Sequence, residues 1–242
     1  GPMDEELSTE LQKSFEKQGV KFHLETKVTA VREGVVVAEH AGETVEIPFE
    51  KLLVSVGRRA VTEGLGLETV GVELERGAVR VDAHMQTSAP RVYAIGDVNG
   101  VSMLAHTAAR EGVVAVDHIL GGGDAMCYKA IPGIVYTHPE IASVGCTEQE
   151  LQAEGCAYEV HRVPMTLSGR FVIENEQGNG ICKLLTDEQG VVLGAHCLGN
   201  GSSEILVPAI MAVQCGLKLS DLAKVVFPHP TVCEILRLAA LH

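Results

Sequence analysis

Near the C-terminal end of the sequence, His229-Pro230-Thr231-Val232-Cys233-Glu234 sets an imidazole and a carboxylate close together at the start of an expected helix. A carboxylate within reach of a histidine nitrogen fixes the tautomer of the ring and raises its basicity, which is the arrangement of a general acid–base pair. The same residues also spell a capping box, with Thr231 as N-cap and Glu234 three positions on, a device with no catalytic purpose. The two roles are compatible. A second candidate is Arg91-Val92-Tyr93-Ala94-Ile95-Gly96-Asp97, an apolar run that delivers a glycine and then a carboxylate. Glycine lets the backbone approach a ligand, and the carboxylate can accept hydrogen bonds from sugar-like hydroxyls. An ordinary Asp turn would read the same way. Just beyond it, Met103-Leu104-Ala105-His106 opens a helix that continues through Ala108, Ala109 and Gly112. Its small residues permit close packing, against either a ligand or the protein's own sheet. The free N–H groups of its first turn favour an electron-rich partner.

The elements that must position these residues follow from periodicity. Leu7, Leu11 and Phe15 recur at helical spacing over residues 4–18, and Gly19 is a natural stop. Short β-rich runs are expected at 20–24, 27–31, 35–39, 44–48 and 51–56, the last as a buried strand before Gly57-Arg58-Arg59. Together they predict the closing part of an α/β nucleotide-binding domain, although no G-x-G-x-x-G precedes them. Strands at 79–81 and 91–95 lead to a helix over about 103–120. From residue 126 onward, strands are expected at 133–136, 141–145, 158–164, 180–186 and 191–198. Helices start at Thr147, where Glu150 completes a capping box, near Ser203, near Ser220 and after Pro230. This alternation predicts an α+β unit on an antiparallel sheet. Pro208 should kink the helix around it or shift its start.

Composition excludes several classes of function. The chain has 242 residues, 46% of them hydrophobic and 21% charged, which suits one or two folded domains rather than disorder. A formal charge of -13 with no Lys/Arg run argues against nucleic acid and anionic membrane surfaces as partners. The longest apolar run, Ile205 to Leu217, is too short to span a bilayer. Seven cysteines occur, none at C-x-x-C or C-x4-C spacing and none in a zinc pattern with histidine. Reduced thiols in a cytoplasmic protein without a metal are therefore expected. No secretory leader is visible, and Gly1-Pro2 reads as the scar of a cleaved tag.

His-Pro-Thr-x-x-Glu near a C-terminus resembles the active-site motif of the pyridine-nucleotide-disulfide oxidoreductases. In that family the His is acid and base for the partner subunit's disulfide and for substrate thiols, and the Glu holds it. Arg91 to Asp97 is similar to the family's second flavin-binding motif, which implies that Asp97 binds the ribityl chain of FAD. Met103, Leu104, Ala105 and His106 would then present the helix start to the flavin ring. Lys21 to Leu24, Gly57-Arg58-Arg59, Tyr136 to Glu140 and Leu193 to His196 agree in order and spacing across nearly the whole chain. Within the family, Met103 to His106 looks like the dihydrolipoamide dehydrogenases, whereas glutathione and thioredoxin reductases carry Thr-Pro at that point. The same comparison implies that Val28 and Gly57 line the NAD site. It also places His138-Pro139-Glu140 in the interface domain, away from the chemistry.

The resemblance implies a remnant of an NAD-binding domain at 3–59, a second FAD-contacting segment of the central domain at 60–124, and an interface domain at 125–242. It further implies a homodimer through the last of these, with Ile210 and Val213 among the contacts, and a cis peptide at His229-Pro230. The parent enzyme would serve a 2-oxo acid dehydrogenase or glycine cleavage complex. The family's N-terminal flavin glycines, its C-x4-C disulfide and its nicotinamide glycine loop are not in this sequence, so the chain alone is expected to be inactive and to bind neither cofactor tightly. Two rivals remain at this point. One is a sibling reductase of the glutathione or mercuric type, although the vicinal cysteine pair usual at the end of mercuric reductases is missing. The other is a stand-alone dimerisation module. A C-x4-C upstream of Met3 would select the enzyme.

Overall fold

Asp4 starts the first helix, α1 (Glu5–Lys17), by accepting the Glu6 N–H on its carboxylate. Glu5 and Glu6 in the first turn and Lys17 in the last complement the helix dipole. Gly19, at φ +89°, then turns the chain out of the helix. The computed structural model describes residues 2–175 and 178–242. In it, α1 joins Cys127–His242 in one compact unit, while Val20–Met126 forms a second. The compact units thus divide at Gly19 and Met126. Long-range contacts decide this. Leu7 is fully buried against Ile141 and Leu198.

The Val20–Met126 unit contains the antiparallel meander β1 (Thr26–Arg32), β2 (Val35–His40) and β3 (Glu43–Pro48), in the order β1-β2-β3. A small hairpin of β4 (Leu74–Glu75) and β5 (Ala78–Val79) follows, then α2 (Ala105–Ile119). Thr107, Glu111, Val114 and Ala115 form the buried stripe of α2. Three expected strands do not form. Residues 20–24 and 51–56 lie outside any helix or strand, and Leu53 and Val56 are 89% and 91% exposed. Residues 91–95 make only an isolated bridge, between Tyr93 and Gln86. An apolar run becomes a strand only when its N–H and C=O groups find a ladder, and none of the described strands pairs with these segments.

The other unit is built on a five-stranded antiparallel sheet in the order β6-β7-β10-β9-β8. Its strands are β6 (Gly133–Val135), β7 (Ile141–Gly145), β8 (Glu159–Pro164), β9 (Ile181–Thr186) and β10 (Val192–Leu198). Helices α3 (Glu148–Ala153) and α4 (Gly169–Glu174) lie between strands, and α5 (Ser202–Ile205), α6 (Val207–Cys215), α7 (Leu219–Lys224) and α8 (Ile235–Ala239) follow the sheet. The expected capping box of Thr147 and Glu150 forms at the start of α3. Pro208 falls in the first turn of α6, where its missing N–H costs nothing, so the helical run breaks between Ile205 and Val207. Alternate residues of the central strands face opposite sides. Ala142, Val144, Cys182, Leu184, Ala195 and Cys197 join Ala209, Ala212, Leu236 and Ala239 in the main core. Ile141 and Leu198 pack with Leu7 of α1. Both faces are therefore covered, and β9 is buried along its whole length.

Candidate functional site

The loop between α7 and α8 brings His229 and Glu234 together. Nδ1 of His229 lies 2.8 Å from Oε2 and 3.1 Å from Oε1 of Glu234. The His229-Pro230 peptide is cis, as expected; His138-Pro139 is cis as well, which was not. His229 is 77% exposed and Glu234 only 16%. The carboxylate is thus held by the protein and the ring offered to solvent. The hydrogen bond from His229, with the Thr231 N–H and the charges of His229 and Arg237 behind it, holds the Glu234 carboxyl below its ordinary range. An ion pair this exposed stabilises the fold by about 0.2–1 kcal/mol at most, so its consequence is orientation rather than stability. With the carboxylate on Nδ1, the proton sits there and Nε2 is left as the outward base.

Only half of the expected capping box is present. Glu234 Oε1 accepts the Thr231 N–H at 3.2 Å, but the Thr231 hydroxyl turns back to donate to the Pro228 carbonyl at 2.7 Å. The carboxylate consequently serves the loop and the imidazole together. A cavity of about 380 Å³ lies beside the dyad, lined by Lys224, Val225, Phe227, His229, Glu234 and Arg237, among others.

In the Val20–Met126 unit, Asp97 sits exposed on a 3-10 turn over Gly96–Asn99 that packs against α2. Gly96 has φ +72°, and a Cβ there would come 3.3 Å from the Ala108 Cβ, which accounts for glycine at this crossing. The buried Glu111 fixes the turn. One of its oxygens accepts the Gly96 N–H at 2.6 Å and the Asn99 Nδ2 at 3.0 Å. Met103 and Leu104 precede α2 and are partly buried, and Ala105 and His106 lie exposed in its first turn. The N-cap residue, Leu104, supplies no side-chain cap to that turn. The first-turn N–H groups and the Asp97 carboxylate suit the polar edge and hydroxyl chain of FAD, so the residues present fit one side of that cofactor. Val28 lies at a bulge in β1 and Gly57 has φ +125°, and both are exposed.

His138-Pro139-Glu140 behaves as a structural segment. Glu140 accepts the Ser203 N–H and hydroxyl, both at 3.1 Å, at the start of α5. All seven cysteines are free. Sequence reasoning missed Glu111 and a buried polar cluster under α1, where Lys183 Nζ meets Asp4 and Glu148 at 2.6 Å each and Glu6 at 3.3 Å. The three carboxylates lie close together, and the Lys183 ammonium stands among them as their cation. Their only signal was the position of Lys183 and Glu111 within otherwise apolar or small-residue stripes. No described helix is long and apolar enough to cross a membrane.

The sheet-and-helix unit and the turn at Asp97 define a class. The chain matches the dimerisation domain of the pyridine nucleotide-disulphide oxidoreductases over residues 131–240, and the pyridine nucleotide-disulphide oxidoreductase model itself over residues 1–112. The chain belongs to this family. Among curated proteins it is 42% identical to a mitochondrial dihydrolipoyl dehydrogenase of Dictyostelium discoideum, over 98% of this chain and 51% of that protein. It is 39% identical to the human mitochondrial dihydrolipoyl dehydrogenase, over 99% of this chain and 48% of that one. The chain spans about half the length of the curated relatives it matches. Among solved structures, LpdA from Mycobacterium tuberculosis superposes with a TM-score of 0.85 at 30% identity, covering 100% of this chain and 53% of that one. The HOCl-induced flavoprotein disulfide reductase RclA from Escherichia coli gives 0.84 at 26% identity, covering 99% and 56%.

Proposed function

We propose that the chain is the C-terminal half of a dihydrolipoamide dehydrogenase, with residues 3–59 closing an NAD-binding domain, 60–124 contacting FAD and 125–242 forming the dimer interface. The observation that carries this reading is the His229–Glu234 dyad, an exposed imidazole held at Nδ1 by a carboxylate. In the parent reaction His229 takes the proton of a dihydrolipoamide thiol on Nε2 and returns it to the thiolate released from the redox disulfide. Glu234 keeps the ring in the productive tautomer and stabilises the imidazolium. Asp97 and residues 103–106 would hold FAD, and Val28 and Gly57 would lie along NAD. Bound FAD would accept two electrons from the reduced dithiol and pass hydride to NAD+. The disulfide itself, and the dinucleotide-binding glycine loops, would come from the other half.

The high exposure of His229 supports a site completed by a second subunit, and hence a homodimer through the C-terminal unit. Service in a 2-oxo acid dehydrogenase or glycine cleavage complex follows from the same reading. Free thiols support a reducing compartment. The cytoplasm expected from sequence and the mitochondrion named for the curated relatives both satisfy that. The likeness to RclA favours one second reading, a sibling disulfide reductase. Purifying the product of the whole reading frame and assaying it with dihydrolipoamide and NAD+, and with other disulfides and a reduced nicotinamide nucleotide, separates them. Turnover confined to dihydrolipoamide supports the proposal, and turnover only with another disulfide overturns it.

A further inference from the structure

We propose that Ser168, distant in sequence from the dyad, is a positioning residue for His229 and Glu234 and acts through the backbone of Thr231. Ser168 is fully buried between β8 and α4. Its hydroxyl accepts the Phe171 N–H at 3.2 Å, capping α4, and donates to the Thr231 carbonyl at 3.0 Å. One hydroxyl supplies one proton and can accept as well, so the two bonds use its donor and acceptor capacity without conflict. Thr231 is then gripped three ways: its carbonyl by Ser168, its hydroxyl by the Pro228 carbonyl, and its N–H by Glu234. Of these, only the bond from Ser168 ties the loop to another part of the fold. Phe171 anchors that point, since it is 1% exposed within the main core. A shift of Thr231 moves the N–H on which Glu234 rests, and with it the carboxylate that orients His229. The charged and titratable groups around Glu234 are His229 on its own loop, Arg237 on α8 and Lys224 at the end of α7, the last lining the same cavity.

The inference rests on reading His229 as the acid–base group, but its test needs no turnover, so the two can fail separately. The side-chain carboxyl of Glu234 and the ring nitrogens of His229 are followed by NMR through a pH titration of the 242-residue chain, as wild type, Ser168→Ala and Ser168→Thr. In Ser168→Ala the Glu234 midpoint should move up toward the ordinary carboxylate range, and the hydrogen-bonded signature of His229 Nδ1 should weaken. Amide signals of the sheet should stay in place, and Ser168→Thr should restore the wild-type behaviour. Unchanged Glu234 and His229 signals in a folded Ser168→Ala chain would overturn the proposal. If that variant does not fold, the wild type decides. A slowly exchanging Ser168 hydroxyl proton with a cross-peak to Thr231 supports the anchor, and a hydroxyl exchanging at the solvent rate overturns it.

Discussion

Glu111 shows how one side chain sets the geometry of a loop fifteen residues away. A carboxylate with no exposure is tolerated only when its oxygens are hydrogen-bonded, and one of them serves both the Gly96 N–H and the Asn99 side chain. Glu111→Leu leaves both donors buried without their acceptor, for which the expected cost is about 1–3 kcal/mol. Urea unfolding followed by circular dichroism measures it, and a change below about 0.5 kcal/mol, the scale of a neutral surface substitution, would show that the turn does not depend on Glu111. Sequence reading found Asp97 but not the residue that fixes it, because an acid in a helix reads as part of the wet face. Thr107, Glu111 and Val114 in fact share one buried stripe. His229 and Glu234 were legible because both partners lie within one short loop, where spacing alone brings them close. The turned-back hydroxyl of Thr231 was not, since the choice between the Pro228 carbonyl and a helix N–H is made by the path of the loop.

Helix α1 was predicted almost residue for residue, but its partner was not. Its amphipathic stripe announces a buried face without naming what buries it, and Asp4 and Lys183 are 179 positions apart. The strands at 51–56 and 91–95 failed for the converse reason. Their composition demands burial, but a ladder is a property of neighbours. The cluster beneath α1 makes a sharp test. Burial opposes charge on Asp4 and Lys183, yet the Lys183 contact and nearby positive charge hold Asp4 below its usual range, and Asp4 with Glu148 holds Lys183 above its own. Burial pushes the His196 imidazole below its ordinary value. A depressed carboxyl contributes stability above its unfolded pKa, near 3.9, that is lost as pH falls through the folded value. A depressed imidazole loses stability as pH falls through its unfolded pKa, near 6.5, and a raised amine loses it above about 10.4. Burial also pushes the thiols of Cys146 and Cys233 up, which lowers stability above their unfolded pKa near 8.5, so thermal stability should be highest between about pH 6.5 and 8.5 and fall in two stages on acidification. A melting temperature flat from pH 7 to pH 3.5 would contradict this. Lys183→Met strands Asp4, which is 1% exposed, and should cost about 3–5 kcal/mol in denaturant unfolding. A loss under 1 kcal/mol would show that α1 is held chiefly by its apolar contacts and not by the Lys183 cluster.

At the scale of the whole molecule, the C-terminal unit closes its own core, and this changes which residues are available to a second copy. Val213 is buried, and Ile210 is half-buried against the main core. The run from Ile205 to Leu217 is apolar on more than one side because one side faces its own sheet. Val207 and Met211, one turn apart on α6, are 51% and 58% exposed and present the outer stripe. The chain should sediment as a dimer at low micromolar concentration, through an interface on the order of 2,000 Å² in total or more, and Met211→Glu should shift it toward monomer. A clean wild-type monomer would refute autonomous dimerisation. The chain alone should also show no lipoamide-dependent NAD+ reduction, since none of its cysteines stands at the C-x4-C spacing of the family's redox disulfide. The central claim is that His229 is the acid–base group of a dihydrolipoamide dehydrogenase. The most direct measurement is steady-state oxidation of dihydrolipoamide by the product of the whole reading frame, comparing wild type with His229→Gln at equal FAD content. A loss of roughly 10²–10⁴-fold in kcat with bound flavin retained is expected. A variant that turns over within twofold of wild type would contradict it.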